Sequence, residues 1–159
     1  MKRIYGSATI CLKDRCGLEL EPGMSCSTEK LIIKFNLDIT EIIADSRDYD
    51  ELAQVWTKWR DSSGKPIRQL YRQFVDIGRE VSLLNGFDDI EEFILYSWET
   101  TDFKQQIEDL WQELRPHYQL LHAFVRMKLR QRYGSRMPSD GTIPAHLLGN
   151  MWAQQWSNF

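Results

Sequence analysis

Residues 101–133, TDFKQQIEDLWQELRPHYQLLHAFVRMKLRQRY, decide the fold class. Phe103, Ile107, Leu110, Trp111, Leu114, Tyr118, Leu121, Phe124, Val125 and Leu129 return every three or four positions, the period that gathers side chains on one face of an α-helix. Polar residues fill the opposite face. Pro116 interrupts the pattern; it has no N–H for the helical ladder and its ring crowds the preceding turn, so it is expected to kink or split the helix. Gly134 supplies the stop.

The same period continues on both sides. In SRDYDELAQVWTKWRDSSG (46–64), Ser46 can cap, Tyr49, Leu52, Val55, Trp56 and Trp59 share a face, and Ser62, Ser63 and Gly64 are expected to end the run. A second helix is expected to open at Pro66 and carry Ile67, Leu70, Phe74, Ile77, Val81 and Leu84 to a stop at Asn85-Gly86. A shorter one fits DDIEEFILYSWET (88–100), whose early acids suit the positive end of the helix dipole. After the turn-forming SRMPSDGT (135–142), Pro144 is expected to open a last helix through IPAHLLGNMWAQQWSNF (143–159). Before residue 40 only KLIIKF (30–35) resembles a strand. The expected class is all-α.

With 159 residues, 42% of them hydrophobic and 12% aromatic, the chain can bury a core of single-domain size. Its formal net charge of −3 opposes a nucleic-acid partner, which calls for a clustered excess of Lys and Arg. The one basic run holds Arg126, Lys128, Arg130, Arg132 and Arg136, with Leu129 and Tyr133 at helical spacing, and reads as a solvated helix face. No apolar run is long enough to span a bilayer, and MKRIYGSATICLK (1–13) lacks the apolar stretch of a secretory signal.

Complete catalytic motifs are missing. His117 and His122 stand five apart and point to different faces, His146 stands alone, and neither HExxH, GxSxG nor a Gly-rich phosphate loop occurs. Each of these histidines reads as a core-edge or surface residue. Cys11, Cys16 and Cys26 are the cysteines. The hydrophilic spacer in CLKDRC (11–16) leaves two readings open: a small disulfide loop of an exported protein, or two reduced thiols.

LHAFVRMKLRQRYG (121–134) followed by GTIPAHLLGNMWAQQWSN (141–158) strongly resembles the angiotensin-converting enzyme family, the peptidyl-dipeptidase A zinc peptidases. ATICLKDRCGLELEP (8–22), SRDYDEL (46–52), WTKWRD (56–61) and LLNGF (83–87) are similar to it in the same order. The resemblance implies a helical, N-terminal-half fragment of an extracellular zinc peptidase, secreted or anchored, that acts on peptides. It also implies that the zinc-bearing half and its HExxH lie beyond Phe159, and that a signal peptide would precede Met1. No complete zinc or chloride site is then expected on this chain, zinc and chloride belonging to the full-length family member, and the chain alone is expected to be inactive.

Residue by residue, the resemblance assigns Gln154 to the substrate's C-terminal carboxylate and Gln155 to a neighbouring position beside the prime-side pocket, where a smaller residue is common. It assigns Arg60 to a buried chloride, and Cys11 and Cys16 to the family's small disulfide. Trp98 falls where chloride-dependent members keep a Tyr at a second chloride site, and Thr142 replaces the Gly-Pro entry into IPAHLL. These departures keep open a noncatalytic exported paralogue that binds peptide or a protein partner. Residues 23–37 interrupt the pattern between ELEP and DITEII and read as an insertion or a retained intron.

Overall fold

The computed structural model describes residues 1–12, 33–34 and 39–156; of Ile33 and Lys34 only the backbone is described. The order is α1 (Lys2–Ser7), β1 (Thr9–Ile10), β2 (Ile33–Lys34), α2 (Thr40–Asp45), α3 (Tyr49–Leu84), α4 (Ile90–Leu95) and α5 (Phe103–Tyr133). Short 3-10 turns follow at Tyr96–Trp98, Gly134–Arg136 and Ala145–Leu147. The fold is all-α, as expected. β1 and β2 form one antiparallel pair, Thr9 opposite Lys34 and Ile10 opposite Ile33, so two residues of the KLIIKF candidate are a strand.

Three expectations need correction. α3 runs unbroken from Tyr49 to Leu84 with Pro66 inside it, where two helices were expected. The hydroxyls of Ser62 and Ser63 donate back to the Trp59 carbonyl at 3.1 and 2.7 Å, so the residues that read as a stop signal satisfy themselves within the helix. At Pro116, where a kink or a split was expected, α5 does not split. A proline forfeits one ladder bond, and the remaining turns of a long helix hold on either side of it. The expected last helix is absent: beyond the 3-10 turn at Ala145–Leu147 the chain is irregular, with Gly149 at φ 89° and Ala153 at φ 55°, backbone values outside the helical region.

The chain divides into two compact units, and α3 and α5 contribute to both. Unit 1 comprises residues 1–67 and 124–159. Its core joins Ile10 and Leu12, Ile39 and Ile43 around α2, Leu52, Val55 and Trp59 of α3, Val125 and Leu129 of α5, and Met137, Leu147, Leu148 and Met151. Each such side chain removed from water contributes roughly 1.5–3 kcal/mol before entropy is counted. The Trp-rich end, IPAHLLGNMWAQQWSNF, finds partners within the chain. Leu148 and Met151 are buried and Trp156 packs against this core.

Unit 2 comprises residues 68–123. Asp89 caps α4 by accepting from the Glu92 N–H at 2.8 Å while Glu92 accepts from the Asp88 N–H at 2.9 Å. Phe87 packs edge-on to Phe93 and Tyr96, each at 5.3 Å between ring centres. Gly78 lets α4 approach closely, since a Cβ there would sit 2.3 Å from Ile90 Cδ1. Among the described residues, every exposed large hydrophobic side chain except Met1, Phe124, Met127 and Trp152 belongs to this unit.

Candidate functional site

Of the residues the sequence singles out, Arg60, Gln154 and Gln155 fall in unit 1, on α3 and the segment 143–156. Arg60 lies on the core-side edge of α3, one turn after Trp56. Its guanidinium stacks over the Trp56 ring at 3.5 Å from the centroid and lies 5.8 Å from the Trp59 centroid. Nη1 donates to the Trp56 carbonyl at 3.3 Å and Nη2 donates to the Met151 carbonyl, 91 positions away. Asp61, the ion-pair partner that a surface reading would give Arg60, pairs with Lys65 at 3.1 Å instead. Partial burial lowers the Arg60 pKa, and the Tyr5 phenol acts in the opposite direction. A half-buried cation with no carboxylate among these contacts, two carbonyls and two indole rings, is chemically suited to an anion. Trp56 Nε1, one turn away, is buried without an acceptor among the described residues.

The Met151 carbonyl that Arg60 grips opens the turn that presents Gln154. Asn150 Oδ1 accepts from the backbone N–H of Trp152 and of Gln154, both at 3.0 Å. Ala153 N–H donates to the Asn150 carbonyl at 3.4 Å, and Trp156 Nε1 donates to the Ala153 carbonyl at 2.7 Å. Trp152 meets Trp59 edge-on at 6.2 Å. Gln154 and Gln155 are exposed on this fixed backbone. Sequence reading missed Asn150, although Gly149-Asn150 is itself a turn signal.

A second cluster ties the start of this segment to α3. His146 meets the Tyr49 ring edge-on at 4.6 Å, Arg136 lies 4.2 Å over the same ring, and Tyr133 meets it at 5.7 Å. Arg136 also pairs with Asp50. Burial, with help from the Arg136 charge, lowers the His146 pKa below its ordinary 6.5 against the raising effect of Asp50; Nε2 is buried without a partner among the described residues. Of the basic run, Arg126 is half-buried and donates to the Pro138 carbonyl, whereas Arg136 stays exposed. The solvated-face reading fails for Arg126 alone, whose guanidinium finds an acceptor in the segment folding back after α5.

Trp98 belongs to unit 2, where it stacks on Phe103 at 4.8 Å and is exposed. Cys11 is half-buried and its Sγ donates to the Leu12 carbonyl at 3.7 Å; Cys16, Cys26 and most of residues 23–37 lie outside the described residues. Cys11 and Lys58 also border a cleft of about 740 Å³ between β1, α1 and α3. Among the described residues no three His, Cys, Asp or Glu side chains come together as metal donors, so these residues do not fit a zinc ion. Nor is any described helix long and apolar enough to cross a membrane.

The sequence matches the model of the peptidase M2 family, described as angiotensin-converting enzyme, over residues 1–159. It is 42% identical over 159 residues to angiotensin-converting enzyme of Rattus norvegicus, covering 99% of this chain and 11% of that protein. It is 38% identical over 159 residues to the enzyme of Theromyzon tessulatum, covering 99% of this chain and 24% of that protein. With the angiotensin-converting enzyme-related protein of Drosophila melanogaster it shares 38% over 161 residues, covering 99% of this chain and 23% of the relative. The chain thus spans at most about a quarter of the length of these relatives. Matched from end to end by the family model, with its Arg60, Asn150 and Gln154 drawn together in one unit, the chain belongs to the angiotensin-converting enzyme family.

Proposed function

We propose that the chain is part of a zinc metallopeptidase that releases C-terminal dipeptides from peptides, and that it supplies the wall holding the substrate's C-terminal carboxylate. The observation that carries this reading is the exposed Gln154 on a backbone fixed by Asn150 and Arg60. A glutamine amide donates to a carboxylate without adding charge, and a fixed backbone loses little freedom on binding. Gln155 borders the adjoining pocket. Arg60, with the buried Trp56 N–H nearby, is the chain's anion host and is read as the chloride residue; Trp98 is read as the second chloride position. Bound zinc supplies a nucleophilic water at neutral pH. Its ligands belong to residues other than those described, and the exposed apolar stripe of unit 2 is read as surface that the rest of such a domain covers.

The same reading makes the parent an exported protein, secreted or anchored, with a Cys11–Cys16 disulfide. Mass spectrometry of non-reduced, oxidatively expressed chain should find those two thiols joined; finding both reduced removes the disulfide. Residues 23–37 are proposed to be an insertion or a retained intron, and a mature transcript that keeps them rejects the intron. Trp98 and Thr142, which depart from the family pattern, favour a second reading, a noncatalytic paralogue that binds peptide. The coding sequence after residue 159 separates the two: an HExxH with a later Glu in frame supports the enzyme, and their loss supports the paralogue. The purified chain with added zinc should release no dipeptide from a blocked tripeptide; chelator-sensitive release would show that a complete site resides on these residues.

A further inference from the structure

We propose that Asn150 and Arg60 are positioning residues for Gln154, one acting from within the turn and one from α3; this rests on reading Gln154 as the carboxylate contact. Three observations support it. Asn150 Oδ1 satisfies two backbone donors, those of Trp152 and Gln154, with one atom, and so fixes the backbone from which the Gln154 side chain departs. Ala153, between the two donors, holds φ 55°, a left-handed value that is strained for a non-glycine residue and persists only where the surroundings impose it. Arg60 supplies the outer restraint: stacked on Trp56 and bonded to the Met151 carbonyl, it anchors the turn to a helix whose neighbouring residues Val55 and Trp59 are in the core.

The Gln154 side chain is left exposed by all of these contacts. A side chain free to meet a ligand on a backbone that is not free to move is the arrangement that preorganised recognition requires. It gives Arg60 a role in addition to that of an anion host.

The test uses the full 159-residue chain, labelled with nitrogen-15, and two probes: an N-acetylated dipeptide with a free carboxylate and the same dipeptide as its C-terminal amide. In the parent chain the Gln154 side-chain signals should shift with the acid and stay still with the amide. Asn150→Ala should speed amide exchange at Trp152 and Gln154 about tenfold, the size of one net hydrogen bond, and weaken the Gln154 response to the acid. Asn150→Asp, which keeps the acceptor, should restore the slow exchange. Arg60→Ala should speed the same two amides while helicity is retained. Unchanged exchange and an unchanged Gln154 response in Asn150→Ala overturn the positioning proposal. Asn150-dependent exchange with a parent Gln154 that ignores the acid overturns the carboxylate reading on which it rests.

Discussion

Unit 1 and unit 2 draw on the same two long helices, yet Leu52, Val55, Val125 and Leu129 are at most 2% exposed, whereas Phe74, Ile77, Leu110 and Leu114 are 53–59% exposed. Periodicity does not separate these two sets; all eight lie on apolar stripes of α3 and α5. What differs is what each stretch meets. In unit 1 the stripes meet β1, α2 and the returning segment 137–151, and in unit 2 the described partners are α4 and its 3-10 turn. An amphipathic helix is therefore a requirement for a partner, and only one unit has found its partners among the described residues.

The sharpest way to break the comparison is a matched pair of truncations. Leu129→Ala in unit 1 should destabilise the chain by about 2–5 kcal/mol, the cost of lost transfer energy plus a cavity, whereas Leu120→Ala in unit 2, 71% exposed, should stay within about 0.5 kcal/mol. Denaturant titration reads both, and equal losses would erase the distinction between the units. A change in the opposite sense sharpens it: Leu84→Gln with Leu120→Gln should reduce self-association in sedimentation without lowering the unfolding midpoint, because both side chains are largely in water.

Acid should act on unit 1 next. His146 has a folded pKa below its ordinary 6.5, so its contribution to stability is present above about pH 6.5 and is lost as pH falls toward the folded value. His146→Phe should flatten that part of the stability profile, and a variant that keeps the same acid dependence would remove His146 as its source. Asp50, whose pKa the Arg136 hydrogen bond lowers from 3.8, contributes in the same direction only at lower pH, and because the pair is exposed Asp50→Asn should have a small, salt-sensitive effect. The smallest change is expected at Gly78. Gly78→Ala gains up to about 1 kcal/mol of helix propensity but obliges the Ile90 methyl end to turn aside, and calorimetry should find the two nearly cancelling.

Element type was legible in the sequence because helix periodicity is local. Pro66 misled because Ser62-Ser63-Gly64-Lys65-Pro66 carries the vocabulary of a break, while the two hydroxyls in fact bond within the helix. The last segment misled for a different reason. Its composition suits a helix, but the left-handed Ala153 and the Asn150 bonds belong to a turn gripped by Arg60 across 91 positions, a contact no local window contains. Gln154 was legible only through resemblance, since an exposed amide carries no signal in isolation; Arg60 was singled out in the same way, and its hold on Met151 emerged only from the fold.

Native-state hydrogen exchange on the full chain at neutral pH tests the central contrast most directly, because it reads both units in one molecule along the same helices. The expected result is slower exchange, by about tenfold or more, for residues 49–67 and 124–133 than for the interior of 68–84 and 103–123, reflecting more than one net hydrogen bond's worth of extra local stability. Uniform protection along α3 and α5, or slower exchange in unit 2, would contradict the account.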